Sequence, residues 1–350
     1  MKCKLVLANG KEFIGKSFGS LTEQIGEIFF STSMVGYQDL LSDPLYFGKI
    51  ACMTYPLIGN YGLTDEDYDF KGIHIRGYVV KENNDNPSNF RATRIFSEAM
   101  EENKVAGISG IDTREIAKII RDEGNMMAMI TNVDRPLEEC LEILRNHKEE
   151  KVLESISCKK VWYSRTANPL HTVVVIDLGV KTTFVKNLNE YGLNVIVVPF
   201  NTKLEDIKKL KPNGVVVSNG PANPNDCEEV VELINQIKGT YPLLGVGLGA
   251  QVIALTYGGE VSKMKHGHNG SNIPVRNVET DKIEITSQSH FYDIKLKNKE
   301  INITHVNVVD NQIEAFEDKL NKVIATQYAV QETLNESENV INKFVTLMKR

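Results

Sequence analysis

The sequence predicts an α/β protein. Its C-terminal part should be an open, mostly parallel sheet with helices on both faces, preceded by a smaller β-rich α+β domain. Three observations predict this. From His171 onward, unbroken apolar runs alternate with helical patterns, the grammar of a parallel sheet covered on both faces. Before residue 150, short alternating strands come first and helices later. Within the C-terminal part, Gly245, Gly247 and Gly249 fall at every second position, after an apolar run and before a helical stretch. That is a strand, a tight turn and a helix, the arrangement that lifts one side chain above a sheet on a strained elbow. Its tip, Gly247, has no side chain.

The elements follow in order. Residues 3–8 alternate weakly and lead into Asn9-Gly10, a hairpin signal. Gly26 to Ser33, Lys49 to Tyr55 and His74 to Val80 read as further short strands. Asp112 and Thr113 cap a helix with Ile116, Ile119 and Ile120 on one face. Pro136 opens a second helix carrying Leu137, Cys140, Leu141 and Leu144. The polar, irregular stretch 151–170 reads as a linker between a first domain (1–150) and a second (171–350). In the second, Thr172–Leu178, Asn194–Pro199 and Gly214–Val217 are buried-type strands. Phe184 and Leu188 mark one helix, Thr202 and Glu205 a capping-box start, and Cys227 the start of another helix. The last helix sets Val340, Ile341, Phe344 and Leu347 on one face. The loops 218–224 and 245–251 fall beyond the carboxyl ends of strands, where such sheets bind ligands.

Composition narrows the function. A length of 350 residues, 41% apolar and 25% charged, is ordinary for a protein of two or three domains. A net charge of −6 argues against a nucleic-acid partner. No apolar run is long enough for a membrane span, and the N-terminus lacks a signal-peptide pattern. The five cysteines are scattered and never spaced as CxxC, which suits reduced thiols and a cytoplasmic location.

Several stretches together resemble the family of carbamoyl phosphate synthetase small subunits. In the first half these are Ser31-Thr-Ser-Met-Val-Gly-Tyr-Gln-Asp-Leu-Leu-Ser-Asp-Pro44, Thr54-Tyr-Pro-Leu-Ile-Gly-Asn-Tyr-Gly62 and Ser109-Gly-Ile-Asp-Thr-Arg114. In the second they are Asp177-Leu-Gly-Val-Lys181, Ser218-Asn-Gly-Pro221, Gly245-Val-Gly-Leu-Gly-Ala-Gln251 and Lys263-Met-Lys-His-Gly-His268. The resemblance implies an N-terminal domain that docks on a large synthetase subunit, and a triad-type glutamine amidotransferase domain of class I. It implies no cofactor in this chain. ATP, magnesium and bicarbonate would be used by the large subunit to make carbamoyl phosphate for arginine and pyrimidine synthesis.

Glutamine hydrolysis in this family needs a thiolate, a histidine to carry the proton, and a carboxylate to orient that histidine. The resemblance places these at Gly247, Ala329 and Gln331, so all three positions lack their chemistry. The positions that would line the glutamine pocket are Leu45, Ala222, Leu248, Gln251, Ser289, Phe291 and Tyr292. Of these, Leu248, as a backbone donor, and Gln251 still match the family pattern. Cys227 reads as a packing cysteine, and His290 as a hydrogen-bonder in the pocket wall. His266 and His268 sit one residue apart with no third ligand evident, so no metal is expected. His74, His147, His171 and His305 read as structural or solvated. Glycine suits the elbow tip, because its backbone region costs other residues roughly 1–3 kcal/mol.

The leading expectation is a small subunit without glutaminase, acting as a structural or regulatory partner of an ammonia-using large subunit. Three alternatives stand beside it. One is an active glutaminase with relocated residues. Another is a regulatory protein holding a different small ligand in a pocket made more apolar by Leu45, Phe291 and Tyr292. The third is a dinucleotide binder, since Gly245 to Ala250 formally satisfies G-x-G-x-x-A. That fingerprint belongs in the first βα turn, with an acid about 20 residues on, whereas here the nearest candidate is Glu260.

Overall fold

The computed structural model describes residues 1–64, 68, 72–147, 152–298, 300–330 and 336–349, with backbone alone at 336–339. The chain forms two compact units, Met1–Glu150 and Lys151–Arg350.

The first unit is built on β1 (Lys2–Leu7), β2 (Glu12–Gly19), β3 (Gln24–Ser31), α1 (Tyr37–Ser42), β4 (Ile50–Met53), β5 (Leu57–Ile58), β6 (Gly77–Val79), β7 (Glu82–Asn83), α2 (Phe96–Glu102), β8 (Ala106–Ser109), α3 (Thr113–Glu123), β9 (Met126–Thr131) and α4 (Leu137–Asn146). Seven of these strands close into a barrel in the order β1-β2-β8-β6-β4-β3-β9, which removes every exposed edge. β1 and β2 are the hairpin expected around Asn9-Gly10, with Leu5 opposite Phe13. The carboxylate of Asp112 caps α3 by accepting from the amides of Arg114 and Glu115, both at 3.0 Å. Ile116, Ile119 and Ile120 then bury against Leu5, Ile28, Ile50 and Ile130.

The second unit contains α5 (Val152–Ile156), β10 (Trp162–Ser164), β11 (His171–Asp177), α6 (Thr182–Glu190), β12 (Leu193–Pro199), α7 (Leu204–Leu210), β13 (Gly214–Val217), α8 (Glu228–Ile237), β14 (Leu243–Val246), α9 (Leu248–Leu255), β15 (Glu260–Asn277), β16 (Ile283–Lys295), β17 (Asn302–Asn307), β18 (Ile313–Asp318), β19 (Val323–Thr326) and α10 (Glu336–Met348). They make a ten-stranded sheet in the order β10-β12-β11-β13-β14-β19-β18-β17-β15-β16. β12, β11, β13, β14 and β19 run parallel. Alternate residues of each strand go to opposite faces. Val174, Ile176, Val215, Val217 and Leu243 pack with α7, α8 and α9. Val173, Val175, Val216 and Leu244 pack with α6 and α10, where Phe344 and Ile341 are fully buried. This is the largely parallel sheet with helices on both faces that the sequence pattern predicts.

Three details differ from the sequence reading. Residues 151–170 are not an irregular linker: α5 lies here, and β10 pairs antiparallel with β12, Trp162 opposite Val197. The polar composition misled because β10 is an edge strand, only partly buried. The capping box at Thr202 and Glu205 does not form. Thr202 Oγ1 donates back to the carbonyl of Pro199 at 2.7 Å, and α7 starts one residue later with Lys203 as an N-cap lacking a side-chain bond. Beyond β19 the sheet continues antiparallel through β18, β17, β15 and β16, strands that the mixed polar and apolar pattern of this stretch does not announce.

Replacing Phe344 removes a ring that fills the layer between α10 and the sheet. Phe344→Ala should cost about 3–5 kcal/mol in urea denaturation. A loss below about 1 kcal/mol would show that α10 does not cover the sheet in solution.

Candidate functional site

The site is built on the carboxyl ends of β13 and β14, neighbours that run parallel with Val217 opposite Gly245. β14 delivers the chain to Gly247, whose φ of 54° and ψ of −115° lie in a region that L side chains rarely adopt. The amide of Gly247 donates to the carbonyl of Thr326 at 2.8 Å, tying the tip to β19. α9 starts at Leu248 with no conventional side-chain cap on its N-cap residue. Gly249 lets this first turn press on β13, because a Cβ there would sit 2.1 Å from the carbonyl oxygen of Val217.

The space above the tip belongs to Asn219. A Cβ on Gly247 would lie 2.1 Å from Asn219 Oδ1 and 2.3 Å from its Cγ. The same oxygen accepts from the amide of Leu248 at 2.9 Å and of Gly220 at 2.8 Å. A side-chain carbonyl thus sits on the backbone donor that, in an amidase, would receive the developing oxyanion. It also satisfies an orphan amide at the start of α9, taking up one donor that a pyrophosphate would use. β14 is moreover an interior strand that follows β11, β12 and β13, not the first βα turn. Neither feature fits the dinucleotide reading.

The remaining predicted positions fall as follows. Ala329 donates its amide to the carbonyl of Ser287 at 2.9 Å and carries no titratable group. Gln331 lies outside the described residues. Ala222 is buried among the residues packed against α8 and α9. Gln251 is buried, and its Nε2 donates to Gln327 Oε1 at 2.9 Å and to the carbonyl of Tyr292 at 3.4 Å. Ser289, Phe291 and Tyr292 follow one another along β16. Leu45 belongs to the first unit, where its amide donates to Asp43 Oδ1 at 2.9 Å.

The described thiols near these loops are not activated. Burial pushes the Cys227 thiol up to about 12, with Asp226 adding to it. Burial and then the Asp177 carboxylate push Cys158 to about 12 as well. Both shifts favour the neutral thiol, whereas the thiolate is the nucleophile.

A second group of polar side chains lies in the antiparallel strands. His268 (β15), Gln288 and His290 (β16), Asn307 (β17) and Glu314 (β18) converge, with Glu314 and His290 0% and 2% exposed. Burial opposes charge on Glu314, but the neighbouring His268, His290 and Asn307 side chains hold its carboxyl far below the ordinary range. Burial likewise opposes charge on His268, yet Glu314 and Asp310 carry its pKa upward. His266, one residue before Gly267, is not part of this group, which draws His268 together with His290 and Glu314. Gly267 has a φ of +70°, and the β15–β16 register shifts between Lys263 and His268, so the alternation breaks.

Comparison with known proteins sets these sites in context. The carbamoyl-phosphate synthase small chain CPSase domain matches residues 5–130, and the class-I glutamine amidotransferase domain matches residues 174–345. A carbamoyl phosphate synthase small chain from Clostridium perfringens is 39% identical over 94% of this chain and 93% of its own. The chain belongs to the carbamoyl phosphate synthase small-chain family. A member from Bacillus cereus is 37% identical over 100% of this chain and 96% of its own. Among solved structures, a glutamine amidotransferase from Thermotoga maritima is 18% identical over 51% of this chain and 82% of its own, with a TM-score of 0.38.

Sequence reasoning missed two residues of this small chain. Asn219 stands inside a family motif without an evident role, although a carboxamide beside a glycine-only tip is the signal. Glu314 is a carboxylate at an inward position of an otherwise apolar stretch of β18, flanked by Ile313 and Ala315.

Gly247→Cys should destabilise by about 1–3 kcal/mol from backbone strain alone, plus the clash with Asn219. Adding Asn219→Ala should recover the clash but not the strain, so the double variant should cost less than the sum of the single changes. Additive losses in urea denaturation, or an unchanged Gly247→Cys, would contradict this geometry.

Proposed function

We propose that this small subunit keeps the amidotransferase scaffold but does not hydrolyse glutamine. It contributes as a binding partner of a large carbamoyl phosphate synthetase subunit that takes free ammonia. The observation that carries this reading is the carboxamide of Asn219, seated on the Leu248 amide above a tip without a side chain. A nucleophile is missing, and the oxyanion donor is already engaged. Losing the nucleophile alone leaves only the residual catalysis of binding and oxyanion stabilisation. Here the second contribution is blocked as well.

Three further observations support it. Gln251 spends its amide on Gln327 and Tyr292 rather than facing an open pocket. Ala329 offers no proton carrier. The thiols nearest the site are protonated at neutral pH. On the partner side, the motif Ser31 to Pro44 leaves Met34 and Val35 70% and 71% exposed, an adjacent apolar pair suited to docking. ATP, magnesium and bicarbonate are then handled by the large subunit, and carbamoyl phosphate serves arginine and pyrimidine synthesis in a cytoplasmic complex.

Coexpression with the large subunit, followed by assay with each nitrogen donor, tests this. The complex should form carbamoyl phosphate from ammonium, with glutamine-supported turnover lower by at least about 10³-fold. Comparable turnover with the two donors would overturn the proposal.

A further inference from the structure

The buried polar group in the antiparallel strands has an imbalance of donors and acceptors. His290 Nδ1 lies 3.0 Å from the carbonyl oxygen of Tyr292. A carbonyl only accepts, so Nδ1 carries a proton. In the neutral ring Nε2 is then a lone pair, yet it faces two acceptors, Gln288 Oε1 at 3.1 Å and Glu314 Oε2 at 3.6 Å. His268 repeats the pattern. Its Nε2 lies 2.9 Å from Asp310 Oδ2 and must donate. Its Nδ1 faces Gln288 Oε1 at 3.0 Å and Glu314 Oε1 at 3.2 Å. The one side-chain donor near it among the described residues, Asn307 Nδ2 at 3.4 Å, also donates to Glu314 Oε1 at 2.9 Å.

Turning the Gln288 amide does not repair this. Its Nε2 donates to Thr286 Oγ1 at 3.0 Å, and that hydroxyl gives its single proton to the carbonyl of Ile273 at 3.0 Å. Gln288 Oε1 therefore stays aimed at the two imidazoles. Glu314 Oε2, wholly buried, has no hydrogen-bond partner among the described residues. A buried carboxylate oxygen left so is costly unless something positive lies against it.

Either two protons or one cation must sit among these atoms. Two protons would make two imidazoliums with ring centroids 5.0 Å apart, one of them 2% exposed, and would still leave 3.6 Å between His290 Nε2 and Glu314 Oε2. A single divalent cation satisfies both lone pairs and the carboxylate at once. We propose that His268 Nδ1, His290 Nε2 and the Glu314 carboxylate bind a divalent cation of the zinc class, with Gln288 Oε1 completing the donor set.

The donor chemistry suits that ion, since imidazole and carboxylate are its common ligands and four-fold coordination its usual number. Zinc–ligand bonds of about 2.0–2.2 Å put tetrahedral ligands roughly 3.3–3.6 Å apart. The two ring nitrogens lie 3.2 and 3.6 Å from the Glu314 oxygens and 3.0 and 3.1 Å from Gln288 Oε1, so the ion would push the Gln288 oxygen out by a few tenths of an ångström. The outer ring nitrogens are already engaged as metal-bound imidazoles require, His268 with a carboxylate and His290 with a backbone carbonyl. With all four positions filled by protein, the site would be structural. It would tie β15, β16 and β18 together where pairing is irregular, and hold the wall of the degenerate pocket through Tyr292. The carbonyl of Tyr292 accepts from both His290 and Gln251.

The test uses the full-length chain, stripped with a chelator and dialysed, then titrated with Zn²⁺ in a calorimeter and in thermal melts. One zinc ion per chain should bind and raise Tm. Glu314→Gln should abolish the saturable heat and the Tm rise. Because that variant removes a buried charge and can fail to fold, Asp310→Asn is the second variant. Within the group it touches only the outer ring nitrogen of His268, its other oxygen accepting from the exposed amide of Gln312, an acceptor that asparagine keeps. It should weaken zinc binding by about 10–100-fold while the chain stays folded. His147→Gln, outside the group, should bind as the parent does. Absence of saturable zinc binding by the parent would overturn the proposal in favour of a proton-bound network. So would binding that His147→Gln weakens and Asp310→Asn leaves unchanged.

Discussion

The site depends on one contact, the carboxamide of Asn219 lying over the tip of a strand-to-helix elbow. A φ of 54° with a ψ of −115° at Gly247 is imposed by the need to leave β14 and enter α9 within one residue. Any side chain at the tip must bear that strain. Catalysis is the usual reason for a fold to tolerate it. Here the tip is glycine, the strain is relieved, and the volume a nucleophile would fill is held by Asn219. The bonds from Leu248 and Gly220 to Asn219 Oδ1 then become structural. One loop caps the helix that the neighbouring loop introduces.

The elbow is stable because the sheet beneath it is. β13, β14 and β19 are buried on both faces, and the amide of Gly247 is fixed to β19 through Thr326. Gly249 lets α9 approach the end of β13 within a distance that no Cβ would allow. A scaffold of this kind retains its geometry after its chemistry is removed, because backbone bonds and apolar packing hold it, not the catalytic groups. Such a fold can therefore persist with glycine at the tip of its elbow.

Much of this was legible in the sequence. The Val-rich runs at Thr172 and Gly214 can only be strands buried on both faces, and the alternating glycines mark the elbow. Asp112 declares its helix because a carboxylate before an apolar stripe has two amides to cap. The antiparallel strands from Glu260 to Asp318 were harder to read. Polar and apolar residues mix there, since buried positions hold Gln288, His290 and Glu314 beside a half-buried His268, and the register shifts between Lys263 and His268. Those side chains are satisfied only by partners far away in sequence, which no local pattern reveals. The same holds for Asn219, whose role depends on a loop that lies 29 residues further on.

The central claim is that no group in this chain attacks an amide carbon. Its most direct test is intact-mass measurement of the full-length chain after exposure to a glutamine-analogue electrophile that alkylates activated thiols. The account predicts an unmodified mass, because Cys158 and Cys227 are held as thiols and Gly247 offers nothing to react. A single adduct per chain, on any cysteine and suppressed by excess glutamine, would contradict it.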